Sequence, residues 1–462
     1  MTPLWTAAEI AAATDGDATA DFAATGVTFD SREVGRGDLF IALTGEDTDG
    51  HRFLGGAFGN GAAGAITSEG VTYPAVRVRN TMAALEDLGR AARARVDATI
   101  IGVTGSVGKT GTKEALAAAL DRATPRRVHW SVKSYNNHTG VPLSLARMPR
   151  DSAFGVFEMG MNHAGELAAL TRIVRPHIAI VTAIAPAHTA FFSGEDAIAD
   201  AKGEIFQGLQ PGGTAIIPFD SPHRDRLLAA ARPYAGRIVT FGSGAGADVR
   251  AVETMRTANG GTFVTAQVGG RELSYTIAHP GLHWVSNSLA VLAAIDAVEG
   301  DLGRAGLALA DMAGLPGRGQ RFHARVPGGE ALVIDESYNA NPSSMRATLA
   351  VLAQEERRRI AVLGGMRELG DDSAAYHAGL IHPIDEAGIS HAILVGAEML
   401  PLAQALEGRV DFVHVPDAAT AQACLRDVLA PGDAVLIKGS NGIGLSAVVA
   451  ALKTPAVAGT GD

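Results

Sequence analysis

One stretch of the chain has the residue types and spacing to hold a nucleotide phosphate: IIGVTGSVGKTGTKEALAAAL, residues 100–120. A β-branched run ends at Val103, a Gly-rich turn follows, and a helical pattern begins near Lys109. Such a turn aims the N–H groups from Gly105 to Thr110 at one point, where the dipole of the following helix also favours an anion. Lys109 supplies a point charge for the β and γ phosphates, and Thr110 can place a hydroxyl on Mg²⁺. The pattern is G-x-x-G-K-T; the longer G-x-x-x-x-G-K-T fails because Val103 stands where its first Gly belongs. The plain alternative is a Gly-rich strand-to-helix turn with no ligand. Two further runs, AFGVFE and HIAIVTAIAPAH, deliver Glu158 and His188 to what read as strand ends. Ligands of open parallel sheets sit outside the carboxyl ends of the strands. Thr110, Glu158 and His188 could therefore serve one or two Mg²⁺ ions beside the γ-phosphate, although imidazole is an uncommon partner for that ion.

The elements that must position these groups fall into three blocks. Residues 1–97 mix short apolar runs with Gly, Asp and Thr turns. In residues 98–316, β-type runs alternate with Ala- and Leu-rich helical patterns, which predicts βαβ units and a mostly parallel sheet. GLPGRGQRF, residues 314–322, reads as a linker. In residues 317–462 the rhythm restarts with ALVIDE, RIAVLGG, HAILVGA and DAVLIKGS, predicting a second parallel sheet with its own helices. The fold class expected is α/β in three domains: a small N-terminal domain, a central phosphate-loop domain and a C-terminal domain.

Composition removes several classes. The 462 residues are 47% hydrophobic and 19% charged, too apolar for disorder and ample for large cores. With 39 Lys and Arg against 49 Asp and Glu, the net charge of −10 disfavours a nucleic-acid partner. Cys424, the single cysteine, cannot form an internal disulfide and fits a reducing compartment. The N-terminus lacks the basic flank and apolar core of a signal peptide, and no apolar run is long enough for a membrane span. The expectation is a soluble, cytoplasmic monomer.

Beyond the phosphate loop, NNHTGVPLSL (136–145), EMGMNHAGEL (158–167), APAH (185–188), AKGEIF (201–206), GLHWVSNSLA (281–290), DESYNANPSSM (335–345) and GGMRELG (364–370) follow in order. Together they resemble the Mur ligase family, with EMGMNHAGE and DESYNANPSSM closest to its dipeptide-adding member. The resemblance implies a UDP-sugar-binding N-terminal domain, a central ATPase domain and a Rossmann-like C-terminal domain. It also implies an ATP-dependent amide ligase that joins D-Ala-D-Ala to UDP-N-acetylmuramoyl-tripeptide through an acyl phosphate, with Mg²⁺ as cofactor. It assigns Thr104, Gly105, Ser106, Val107, Gly108, Lys109 and Thr110 to ATP, with Asn137 (beside Asn136) near the γ-phosphate. Asn287 would meet adenine, unless it is a helix N-cap, and Arg318 would reach phosphate across the linker. Asp335 or Glu336 would accept from the ribose; the sequence leaves the choice open. Lys109, Glu158, His188 and Lys202 become the catalytic set, Lys202 as a lysine carbamylated by CO₂ or else as an ordinary salt-bridged one. In VTFDSREVGRGDLFIALTGEDTDGHRF, Ser31 and Arg32 would contact the UDP portion. The sequence departs from the family at His138, Thr139 and Asn441. His188, His163 and an unassigned residue of the C-terminal domain all stand as candidate bases for the incoming amine.

Three other readings compete. A phosphate-loop kinase or NTPase explains the central block but leaves DSRE and SYNAN idle. A sister ligase would add a single amino acid. A nucleotide-sensing scaffold would bind ATP without turnover.

Overall fold

The computed structural model describes residues 3–45, 48–186 and 189–454. Three main sheets occupy three successive stretches of chain. The N-terminal sheet has five strands in the spatial order Asp17–Ala18, Ala75–Arg77, Gly64–Thr67, Asp38–Ile41, Gly26–Thr28. All but the first are parallel. The central sheet has nine strands, with Thr99–Thr104 between Phe154–Glu158 on one side and Ile178–Val181 on the other. Its far end turns antiparallel through Val249–Arg256, Thr262–Val268 and Arg271–Ile277. The C-terminal sheet has six strands, parallel except for the hairpin Gln320–Val326 and Gly329–Glu336. Every run that the sequence marked as a strand in the central and C-terminal blocks lies in one of these sheets.

Burial explains why these runs read as continuous apolar segments. TIIGVT is covered on both faces, as a central parallel strand must be. One face packs on a core containing Leu116, Leu120, Leu289 and Leu292. The other packs on Phe157, Met159, Leu170, Ile205 and Phe206. No helix among the described residues is long and apolar enough to cross a membrane.

The N-terminal core crosses the expected limit at residue 97. Helix Gly140–Ala146 contributes Leu143 and Ala146 to a cluster with Trp5, Leu39, Ile66, Leu85 and Leu88. It lies along helix Thr81–Ala94. Polar contacts reinforce this docking. The Trp5 indole donates to the Ala146 carbonyl at 2.8 Å, and Arg93 donates to the carbonyls of Val174 and Arg175 at 2.9 Å each. The N-terminal and central blocks are thus welded through a shared core. Leu143→Ala is expected to cost about 2–5 kcal/mol of stability, because it empties a buried site between two sheets. Denaturant unfolding would show it as an earlier transition in which both blocks melt together. A separate N-terminal transition whose midpoint the substitution leaves unchanged would contradict the shared core.

Candidate active site

The phosphate loop is held from both sides. The register sets Glu158 opposite Val103 and Val181 opposite Thr104, so the three strands end level. Gly105, at φ +150°, lies so close to Thr182 that a Cβ would fall 2.0 Å from its hydroxyl. Gly108, at φ +86°, precedes helix Lys109–Ala123, and a Cβ there would meet the Asn287 amide oxygen at 2.6 Å. Both positions need glycine for conformation and for space. The Ser106 N–H donates to the Ala183 carbonyl at 2.7 Å, and the Thr182 hydroxyl to the Val107 carbonyl at 2.6 Å. The Lys109 ammonium rests on the Gly105 carbonyl at 2.6 Å. Burial lowers its pKa, and Glu158 opposes that shift.

Beside the loop, the Thr110 hydroxyl donates to one oxygen of the buried Glu158 at 2.8 Å, and the Asn136 amide donates to the other at 2.7 Å. The hydroxyls of Thr104 and Ser106 are buried without a hydrogen-bond partner. This is an all-oxygen donor set within reach of a phosphate loop, and it fits a hard cation such as Mg²⁺. His188, the third expected ligand, lies outside the described residues. Lys202 is buried on helix Glu195–Gly203, where desolvation and the neighbouring Lys109 charge hold its pKa well below the usual lysine value. Its neighbour Glu204 caps helix Glu166–Val174 through the N–H groups of Gly165 and Ala168.

The loop opens into a cleft of about 400 Å³ whose opposite wall belongs to the C-terminal block. Ser106 to Gly111, Asn136, Glu158, Trp284 and Asn287 line the near side; Arg318, Glu336, Tyr338, Asn341 and Lys438 line the far side. The two adjacent acids point to different places. Asp335 turns away and accepts from the Gly317 N–H at 2.8 Å and the Ser337 hydroxyl at 2.7 Å, which fixes the linker. Glu336 lines the cleft, 3.6 Å from the Lys438 ammonium. Arg318 stacks over the Tyr338 ring at 4.1 Å and donates to the Ser134 hydroxyl at 3.1 Å, crossing from the linker to the central block. His283 also lines the cleft, and burial takes its pKa down to about 4, which leaves it neutral near pH 7.

Other expected residues sit differently. Asn287 lies inside helix Leu282–Ala297 and is not its N-cap. Asn137 gives its amide oxygen to the N–H groups of Thr139 and Gly140, while its neighbour Asn136 faces the cleft. His163 pairs with Glu166 at 2.8 Å and packs on Phe191, off the lining. Ser31 and Arg32 also stand off the cleft. Arg32 is exposed and forks onto Asp30, but the adjacent Glu33 pairs with Lys133 in the loop that carries Ser134 and Asn136. Sequence reasoning missed Asn136 as the partner of Glu158, and it missed Trp284 and Lys438. For Lys438 the available signal was its place at the end of an apolar strand run, the same signal that marked Glu158.

A parallel sheet carrying a phosphate loop, buried oxygen donors beside it and a second sheet across the cleft are the parts of a modular nucleotide-using enzyme. Comparison with known proteins agrees. Residues 23–98 match the model of the Mur ligase family catalytic domain, 103–295 the Mur ligase middle domain, and 317–441 the Mur ligase glutamate ligase domain. The chain is 34% identical to the UDP-N-acetylmuramoyl-tripeptide–D-alanyl-D-alanine ligase of Synechocystis sp. over 94% of its length and 92% of the relative's. It is 32% identical to the Escherichia coli ligase of the same name, over 94% and 95%. A solved structure of MurF from Acinetobacter baumannii superposes with a TM-score of 0.84 at 30% identity, covering 97% of this chain and 98% of that one. The chain belongs to the Mur ligase family.

Of the three tryptophans, Trp284 lines the cleft; Trp5 packs in the N-terminal core, and Trp130 packs against the central core that Trp284 also belongs to, off the cleft lining. Adding ADP is expected to change the intrinsic fluorescence of the wild-type chain and of Trp5→Phe and Trp130→Phe. Trp284→Phe should abolish the change while still binding ADP by calorimetry. A signal that survives in Trp284→Phe would place the nucleotide elsewhere.

Proposed function

We propose that this chain joins D-Ala-D-Ala to UDP-N-acetylmuramoyl-tripeptide with hydrolysis of ATP to ADP and phosphate, a step of peptidoglycan precursor synthesis. The observation that carries the reading is the end-to-end similarity to ligases of that name, over 94% of the chain. The geometry supports it, because the phosphate loop of the second block and Glu336 of the third line one cleft, and Glu33 of the first pairs with Lys133 in the loop that brings Ser134 and Asn136 to that lining. A bare kinase or NTPase would leave the first and third blocks without a role.

The physical logic is that of an activated acid. A carboxylate is a poor electrophile because its leaving group would be oxide. Transfer of the γ-phosphoryl group gives an acyl phosphate with a far better leaving group, which the dipeptide amine displaces to form the amide. Two anions must meet for the first step. The loop N–H groups and Lys109 offset their repulsion in place, without reorganising as charge moves. Thr110, Glu158 and the hydroxyls near them would hold Mg²⁺, which would supply further positive charge to offset the phosphate oxygens. Glu336 accepts from the ribose, Asn287 reads the adenine, and Arg318 reaches the phosphates from the linker. Ser31 and Arg32 serve the UDP end. Lys202, with its amine pKa lowered, is disposed to take up CO₂ as a carbamate and so gain a negative charge beside the cation site.

Phosphate release from Mg·ATP should require both the UDP-tripeptide and D-Ala-D-Ala, with the UDP-pentapeptide mass appearing in the same tubes. Release without the UDP-peptide would return the chain to the NTPases, and turnover of a shorter UDP-peptide with a free amino acid would make it a sister ligase. Lys109→Met is expected to lower kcat by about 10²–10³-fold, on the scale of losing one preorganised charge stabiliser. For Lys202, mass analysis under CO₂ should show a carbamate; an unmodified amine in fully active enzyme would rule out that role.

A further inference from the structure

Lys438 is the most deeply enclosed cation on the C-terminal wall of the cleft, and neither the phosphate loop nor the cation site accounts for it. It ends strand Ala434–Lys438, with 2% of its surface exposed. The register pairs it with Glu336 on the adjacent parallel strand, so the two side chains rise together at the carboxyl ends. Its ammonium lies 3.6 Å from Glu336 Oε2 and donates to the Asn339 carbonyl at 2.9 Å. Asn339 belongs to the turn between Glu336 and Asn341, and Asn341 caps helix Pro342–Leu352, whose first turns also line the cleft. One ammonium therefore ties an acid, a loop and a helix start to a single strand end.

We propose that Lys438 is a positioning residue for the nucleotide: it orients the Glu336 carboxylate as an acceptor and fixes the Ser337–Asn341 turn around the bound nucleoside. The inference rests on the ATP-site reading above. A buried ion pair is weak evidence for stability, since apolar residues of similar volume often serve a core as well. This pair sits at a cleft wall instead, where a charged acceptor has a use. The charges around it are few and identifiable. Lys438 of the last strand and Arg318 of the linker favour the Glu336 charge, and Asp335, on the other side of its own strand, opposes it. Lys438 faces Glu336, Arg318 and the neutral His283 of helix Leu282–Ala297. Burial raises the Glu336 pKa, and Lys438 is the first of the groups that pull it back. Without that ammonium the carboxyl holds its proton to higher pH, and a protonated Glu336 is lost as a charged acceptor.

The sign of the test follows. In Lys438→Met, KM for ATP and the Kd for ADP should rise about ten- to a hundredfold near neutral pH, the scale of losing a hydrogen bond to a charged group. Both should worsen as the pH falls through the alkaline-to-mildly-acidic range, because burial raises the Glu336 pKa and the strongest opposing charge is gone. Wild type should stay flat over that range, and kcat should change far less than KM. Lys438→Arg should recover most of the affinity. Glu336→Gln should bind weakly with no pH dependence, and adding it to Lys438→Met should erase that variant's pH dependence. ADP binding by calorimetry reports independently of turnover, and melting temperatures identify variants that fail to fold. Wild-type affinity in Lys438→Met at every pH, or pH dependence that survives in the double variant, would overturn the proposal. If wild type binds ADP but makes no UDP-pentapeptide, the functional reading fails while this test still stands.

Discussion

The chemistry at this cleft depends on a phosphate loop that cannot relax. Its backbone must present N–H groups outward while its own carbonyls stay satisfied. Thr182 and Ala183 on one neighbouring strand end take up the loop interior, and Glu158 on the other side holds Thr110 at its exit. Gly105 has no room for a side chain against Thr182, and Gly108 has none against Asn287 of helix Leu282–Ala297. Because three level strand ends do the holding, the sheet order and register are part of the site as much as the loop sequence is. A loop fixed in this way meets developing negative charge with dipoles already aimed, which is where most electrostatic catalysis comes from.

Much of this was legible in the sequence, and the reasons differ by element. The strand ending at Thr104 and the helix starting at Lys109 are local: an apolar run, two glycines and a good helix former decide them. The parallel sheets followed from alternation of such runs. The antiparallel ribbon from Val249 to Ile277 was not legible as such, because its first strand is largely solvent-facing and carries a bulge between Ala251 and Glu253. The helix Gly140–Ala146 was read with the central block, yet its core partners are N-terminal; a shared core is invisible to any local pattern.

The site residues show the same division. Asp335 and Glu336 are neighbours on a strand, so period-two geometry sends them to opposite sides, but only pairing with Lys438 reveals which side is the cleft. Asn136 and Asn137 are likewise a pair of adjacent amides, one spent on the start of helix Gly140–Ala146 and one on Glu158. Asn287 reads as an N-cap until the helix is seen to begin five positions earlier, at Leu282. In each case the residue type was informative and the direction was set by long-range contacts.

Those long-range contacts also divide the molecule mechanically. The first two blocks share buried apolar side chains, whereas the third meets the second largely through polar contacts. Glu355 receives Arg256 from the central sheet and Arg321 from its own hairpin, each at 2.9 Å. Arg318 reaches Ser134, and the Ala190 N–H donates to the Glu368 carbonyl. Polar junctions of this kind exchange with water at modest cost, so the C-terminal block is the one able to part from the rest. Parting would carry Glu336, Tyr338 and Lys438 away and leave the phosphate loop, Glu158 and Asn136 behind. The two walls of the cleft thus belong to different blocks, the phosphate loop to one and Glu336, Tyr338 and Lys438 to the other. In the proposed reaction, an acyl phosphate that water destroys readily would form between those two walls, which would shield it.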